Sequence, residues 1–201
     1  DTVLIVMSDH GFCTLKKEVY LNVALEEAGF LKLATDEPKA PKDIHPDTTA
    51  YSMIPGRMFV NLKGRESIGS VPPEQYEKVR EELTQFLMDL KDPEDGSPII
   101  REVFKKEDIY KGPLFEQAAD LIALPHDGYD LKGNLKHPSF TTKGALVGMH
   151  TDWDATLCVK GRKIADVDHL YVGDVMPSIL AEYGIEDPAL DLDGRKVFLG
   201  M

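Results

Sequence analysis

Cysteine is scarce in this chain of 201 residues, which has only Cys13 and Cys158. Two thiols cannot form a disulfide framework or a zinc ribbon. Each has apolar neighbours, so both are expected as buried free thiols. Basic residues are also in short supply, 23 against 35 acidic ones, which leaves a net charge of −12. A field of that sign repels phosphate backbones and anionic membrane surfaces, so no nucleic-acid polymer is expected as a partner. An enzyme for small anions remains open, because a bound metal reverses the field locally. Long apolar runs are missing as well. The longest, Val3-Leu4-Ile5-Val6-Met7, is strand-sized and far short of the ~20 residues that span a bilayer. There are no internal repeats, no Walker-type glycine loop and no Gly-x-Ser-x-Gly elbow. What remains is a composition with 42% hydrophobic residues, enough for one sizeable core.

The chain opens at Asp1 and enters an apolar strand at once, as a piece of a longer protein would. Thr2 to Met7 is continuously apolar and β-branched, the pattern of a strand buried on both faces. Val19, Leu21, Leu25 and Ala28 suggest a short helix over residues 16–28, stopped by Gly29. Residues 34–49 hold Pro38, Pro41 and Pro46 among charges and read as an exposed loop. Residues 58–62 read as the next strand. After Pro72-Pro73, Tyr76, Val79, Leu83, Phe86, Leu87 and Leu90 recur at helical spacing, with charges opposite. Residues 99–104 and 121–124 are strand candidates, and 145–149 with 156–159 are expected to pair. Asp174 is placed to cap a helix running to Tyr183, with Gly184 as its stop. Strands and helices alternate, so the fold class is α/β.

Ser8-Asp9-His10-Gly11 is the most informative segment. Neighbouring side chains in a regular strand point to opposite faces, so Asp9 and His10 share a target only where the strand ends and bends. Gly11 permits that bend. Ligands in open α/β sheets bind beyond the carboxyl ends of the strands, and a carboxylate with an imidazole suits a divalent metal. The same residues also fit a turn cap and a surface histidine. His150, in Gly148-Met149-His150-Thr151-Asp152, is either a third ligand or a solvated turn residue. His45, His126, His137 and His169 read as surface positions.

Strand-Ser8-Asp9-His10-Gly11-Phe12 resembles the metal-binding signature of the alkaline phosphatase superfamily, in its type I phosphodiesterase/nucleotide pyrophosphatase branch. The resemblance extends through Gly56–Glu66, Asp108–Pro113, Ala118-Ala119-Asp120-Leu121-Ile122, Gly148–His150, Asp174–Gly184 and Asp193-Gly194-Arg195. It is nearest to prokaryotic proteins described as predicted phosphohydrolases/phosphomutases. Ala119 replaces a usual proline, and Ala155 stands where a glycine often follows the third ligand.

The resemblance implies an alkaline-phosphatase-like core sheet with helices on its faces, incomplete here, with residues 1–201 forming the C-terminal part of a catalytic domain. It implies hydrolysis or transfer at phosphate esters with two divalent ions, zinc first and manganese second. Asp9 and His10 would hold one ion and His150 would help hold the other. The nucleophile and the remaining ligands would lie upstream, so the isolated chain is expected to be inactive. The implied partner is a small phosphorylated substrate, with self-association possible through uncovered apolar surface. The compartment stays open, with the cytoplasm favoured. Rival readings are a non-catalytic binding or assembly domain on the same fold, and a sulfatase-like or phosphomutase-like relative.

Overall fold

In the computed structural model, which describes residues 2–185 and 189–199, each strand is short and the longest helix has 13 residues. In chain order the first elements are β1 (Leu4–Met7), β2 (Gly11–Thr14), β3 (Lys17–Tyr20), α1 (Leu21–Glu27), β4 (Ala50–Ile54), β5 (Arg57–Val60) and α2 (Tyr76–Met88). There follow β6 (Ile100–Lys105), α3 (Lys106–Ile109), β7 (Leu121–Pro125), β8 (Tyr129–Lys132), β9 (Thr141–Thr142) and β10 (Gly148–Thr151). The last are β11 (Leu157–Lys160), β12 (Lys163–Ile164), α4 (Val175–Glu182) and β13 (Phe198–Leu199). The class is α/β, with the strands divided among several small sheets. The chain falls into a central unit, residues 13–149, and a terminal unit made of residues 1–12 and 150–201.

The central unit holds the main hydrophobic core. Its four-stranded sheet runs in the order β4-β5-β7-β6, with antiparallel neighbours. Side chains alternate along β5, so Met58 and Val60 are fully buried while Arg57 and Phe59 face the other way, half-buried. Helix α2 lies on β5, β6 and β7, and its buried Val79, Leu83 and Leu87 are among the positions the periodicity selected. A second sheet, β8-β3-β9, joins β3 in parallel to β8 with Val19 opposite Leu131.

Several expectations are corrected here. The helix expected over 16–28 is a strand followed by a shorter helix. Lys17 and Val19 are both buried with the less buried Glu18 between them, a period of two that overlaps helical spacing over so short a stretch. The Gly29 stop is as expected. It has φ 84°, and the Phe30 N–H donates to the Leu25 carbonyl while the Gly29 N–H donates to that of Glu26, a Schellman closure. The loop over 34–49 is anchored rather than wholly exposed. Ile44 and Thr48 are buried, and the Asp43 carboxylate accepts the N–H groups of Lys39 and Ala40. Strand β4, residues 50–54, has no counterpart among the expected elements, since it falls between the loop over 34–49 and the strand over 58–62.

The terminal unit contains two antiparallel strand pairs, β1 with β11 and β12 with β13, and helix α4. Residues 156–159 therefore pair with β1, not with residues 145–149. Strand β1 is not buried on both faces. Leu4 and Val6 are 54% and 56% exposed, because β1 belongs to a sheet of two strands rather than the middle of a large one. Cys158 on β11 is exposed and Cys13 is half-buried, so neither thiol is buried as expected. Asp174 precedes α4 as expected but makes no side-chain cap to it. Its carboxylate accepts the Tyr171 N–H, the Arg195 N–H and the Arg195 guanidinium. Those bonds hold its carboxyl below the usual carboxylate range, the Arg195 guanidinium contributing most.

Candidate functional site

Strand β1 ends at a double tie. The Ser8 N–H donates to the Thr156 carbonyl, and the Thr156 N–H donates to Ser8 Oγ, both at 2.9 Å. The next two residues leave the strand geometry at this anchored point, and their side chains turn toward each other. His10 Nε2 lies 3.3 Å from Asp9 Oδ1. The other ring nitrogen, His10 Nδ1, is 2.8 Å from the Gly11 carbonyl. A carbonyl can only accept, so Nδ1 carries the proton of that bond. Nε2 is then the ring nitrogen that faces the Asp9 carboxylate. This is the arrangement in which a backbone carbonyl fixes the tautomer of a ligating histidine.

His150 joins this pair. Its ring centroid is 4.2 Å from that of His10, tilted by 49°, and Phe12 presents an edge to it at 6.1 Å. The structure thus places His10 beside both Asp9 and His150. Asp9 keeps 80% of its side chain in solvent and His10 keeps 38%, so the cluster is open rather than enclosed. Among the described residues, no group of three or more His, Cys, Asp and Glu side chains is placed to hold a metal ion.

Gly11 matters for a reason other than the expected bend. A Cβ there would collide with the Trp153 carbonyl and with Thr151 Oγ1, and would lie 3.1 Å from the Asp154 carbonyl. The backbone after His150 therefore packs directly onto Gly11, which brings the two histidines together. Thr151 is buried, and its hydroxyl donates to the Trp153 carbonyl at 2.9 Å. Asp154 turns the chain in a left-handed conformation, φ 64°. Sequence reasoning missed Ser8, Thr151 and Asp154. Only an Asx-type turn after His150 could have signalled the last of these. Of the other histidines, His169 is exposed as expected and His45 and His126 are half-buried. His137 is stacked flat on Tyr20 at 3.6 Å, so it serves as a packing residue.

The model of the type I phosphodiesterase / nucleotide pyrophosphatase family matches residues 1–153. The chain belongs to that family, in agreement with the resemblance to the alkaline phosphatase superfamily. The matched span includes Asp9, His10 and His150. Family membership implies phosphoester hydrolysis of the phosphodiesterase/pyrophosphatase type, in proteins that are typically metal-dependent. Comparison with curated proteins found no match, and comparison with solved structures found none either.

Proposed function

We propose that this chain supplies part of a two-metal centre for the hydrolysis of small phosphate esters. Asp9 and His10 hold one divalent ion, and His150 contributes to a second. The observation that carries this reading is the cluster itself, with the His10 and His150 rings 4.2 Å apart and Asp9 Oδ1 3.3 Å from His10 Nε2. Nitrogen and carboxylate oxygen donors suit zinc first, with manganese as the alternative. Bound ions at such a site offset the charge that gathers on phosphoryl oxygens. The residues of the chain do the positioning. The Gly11 carbonyl holds the Nδ1 side of His10 and leaves Nε2 facing Asp9, Ser8 fixes the end of β1, and the turn over Thr151–Asp154 sets His150 beside His10. The family resemblance supports placing the nucleophile upstream of these residues, in a longer parent protein.

The test is zinc titration calorimetry on the 201-residue chain, with a phosphodiesterase assay on bis-p-nitrophenyl phosphate. Weak zinc binding is expected, reduced by Asp9→Ala or His10→Ala, with no turnover. Equal zinc affinity in the Asp9→Ala/His10→Ala double variant would sink the metal assignment. Turnover that Asp9→Ala abolishes would show a complete site within this chain and overturn the division of roles.

A further inference from the structure

Among the described residues, Arg57 grips no carboxylate. Arg65, Arg80, Arg162 and Arg195 each grip a carboxylate. Arg57 reaches only the Pro55 carbonyl, at 3.5 Å, and no carboxylate among the described residues pairs with it. A guanidinium has five donors in a fixed fork, so most of its hydrogen-bonding capacity is open.

Its position is rigid. Arg57 is the first residue of β5, directly opposite Ile54 across the β4–β5 hairpin and opposite Ile122 of β7 on the other side. The turn between the strands is Pro55-Gly56. Gly56 has φ 71°, and a Cβ there would come within 2.7 Å of the Ala123 carbonyl oxygen. The Ala123 N–H donates to the Gly56 carbonyl at 2.8 Å. Neither the turn nor the strand can shift without breaking these contacts.

Beside Arg57 lies a cavity of about 380 Å³, within the central unit. Phe59, Tyr110 and Phe115 supply rings to its wall, and Leu114 stands at its mouth, 67% exposed. Arg57 and Lys111 are its only charged lining residues. In a chain of net charge −12, this cavity has Arg57 and no acid in its lining. The adjoining cavity differs, since Glu66 and Glu116 line it with Arg65.

We propose that this cavity binds a small organic anion with a flat apolar body. The anionic head meets the Arg57 fork, and the body lies against Phe59, Phe115 and Leu114. The volume falls within the range of small-molecule sites, which are mostly apolar with a few fixed polar groups. A planar, delocalised cation beside aromatic rings suits a planar ligand carrying a carboxylate, sulfonate or phosphate. The site uses none of Asp9, His10 and His150, so it stands or falls separately from the metal reading.

The probe is naphthalene-1-sulfonate, which has no hydrolysable ester, titrated into the full chain by calorimetry in the presence of EDTA. Methanesulfonate supplies the head alone, and 1-naphthol supplies the body with a neutral hydroxyl in place of the anionic head. The sulfonate should bind one to one, about tenfold or more tighter than either control. Arg57→Gln should weaken it by about the same factor, the weight of one charged hydrogen bond. Amide NMR shifts should change at residues 54–59 and 110–119. Should Arg57→Gln fail to fold, Leu114→Asp places an acid at an exposed position on the cavity and should weaken binding likewise. The proposal is overturned if 1-naphthol binds as tightly as the sulfonate. It is equally overturned by shifts confined to other residues, by unchanged affinity in the folded variants, or by no binding at all.

Discussion

Arg65 grips Asp120 with both terminal guanidinium nitrogens, at 2.7 Å and 2.6 Å, across 55 residues of sequence. Asp120 has no exposed surface, and it also accepts the Tyr76 hydroxyl and, at 2.7 Å, the Val60 N–H. One carboxylate thereby ties β5, the turn after it and the start of α2 to the entry of β7.

Removing one partner of such a buried pair leaves the other uncompensated, which typically costs about 3–5 kcal/mol. Arg65→Met should therefore lower the urea midpoint strongly. Tyr76→Phe, which deletes one hydrogen bond to the carboxylate and keeps the ring, should cost less, about 1.5–3 kcal/mol. Equal effects of the two substitutions would show that the network does not depend on the ion pair.

Lys17 and Asp92 form a second buried pair, in direct hydrogen-bond contact, with 8% and 0% of their side chains exposed. Burial pulls Asp92 upward, but the bond from Lys17 and others outweigh it, and its carboxyl sits below the ordinary range. Burial pulls Lys17 downward, and its bonds to Asp92 and Glu94 carry it above the ordinary lysine range. Asp92 thus contributes stability that is complete above the unfolded carboxylate pKa and lost as pH falls through the lower folded value. Lys17 contributes stability that is complete below the unfolded lysine pKa and lost as pH rises through the higher folded value. Urea unfolding as a function of pH should show both limbs, with Asp92→Asn flattening the acid limb and Lys17→Met the alkaline one.

Gly11→Ala should be more damaging than Gly29→Ala, although of the two only Gly29 has positive φ. At Gly29 the new methyl meets nothing within 4 Å, so the cost is that of left-handed backbone, about 1–2 kcal/mol. At Gly11 it strikes the carbonyl of Trp153, and overpacking of this kind costs about 1–3 kcal/mol or more. Nuclear Overhauser contacts between the His10 and His150 rings should vanish in Gly11→Ala and persist in Gly29→Ala.

The two thiols should differ in reactivity toward a disulfide reagent such as Ellman's. Cys158 is exposed and Cys13 half-buried, and access limits the rate when thiolate character does not. Native protein should release one fast equivalent, abolished by Cys158→Ser, followed by a slower one. A single rate for both would contradict the placement of β2.

Local order along the chain was enough to determine α2, whose apolar stripe from Tyr76 to Leu87 repeats within one helix. It also determined the glycine stops at Gly29 and Gly184, since a left-handed residue closing a helix is a local event. The Asp9-His10 pair, His150 and the family resemblance were legible for a similar reason, as short motifs of fixed residue types. The tertiary structure decided what depends on residues far apart. It made Lys17 part of a strand by offering Asp92, 75 residues away, and it paired β1 with β11 rather than burying it. It also revealed Arg80 as fully buried, held by Glu107, where helical periodicity suggested a solvated charge. The nearness of His10 to His150 belongs to the same class. It rests on Gly11 accepting the backbone of Trp153, and a contact between two distant backbones leaves no periodic trace in the residues that make it.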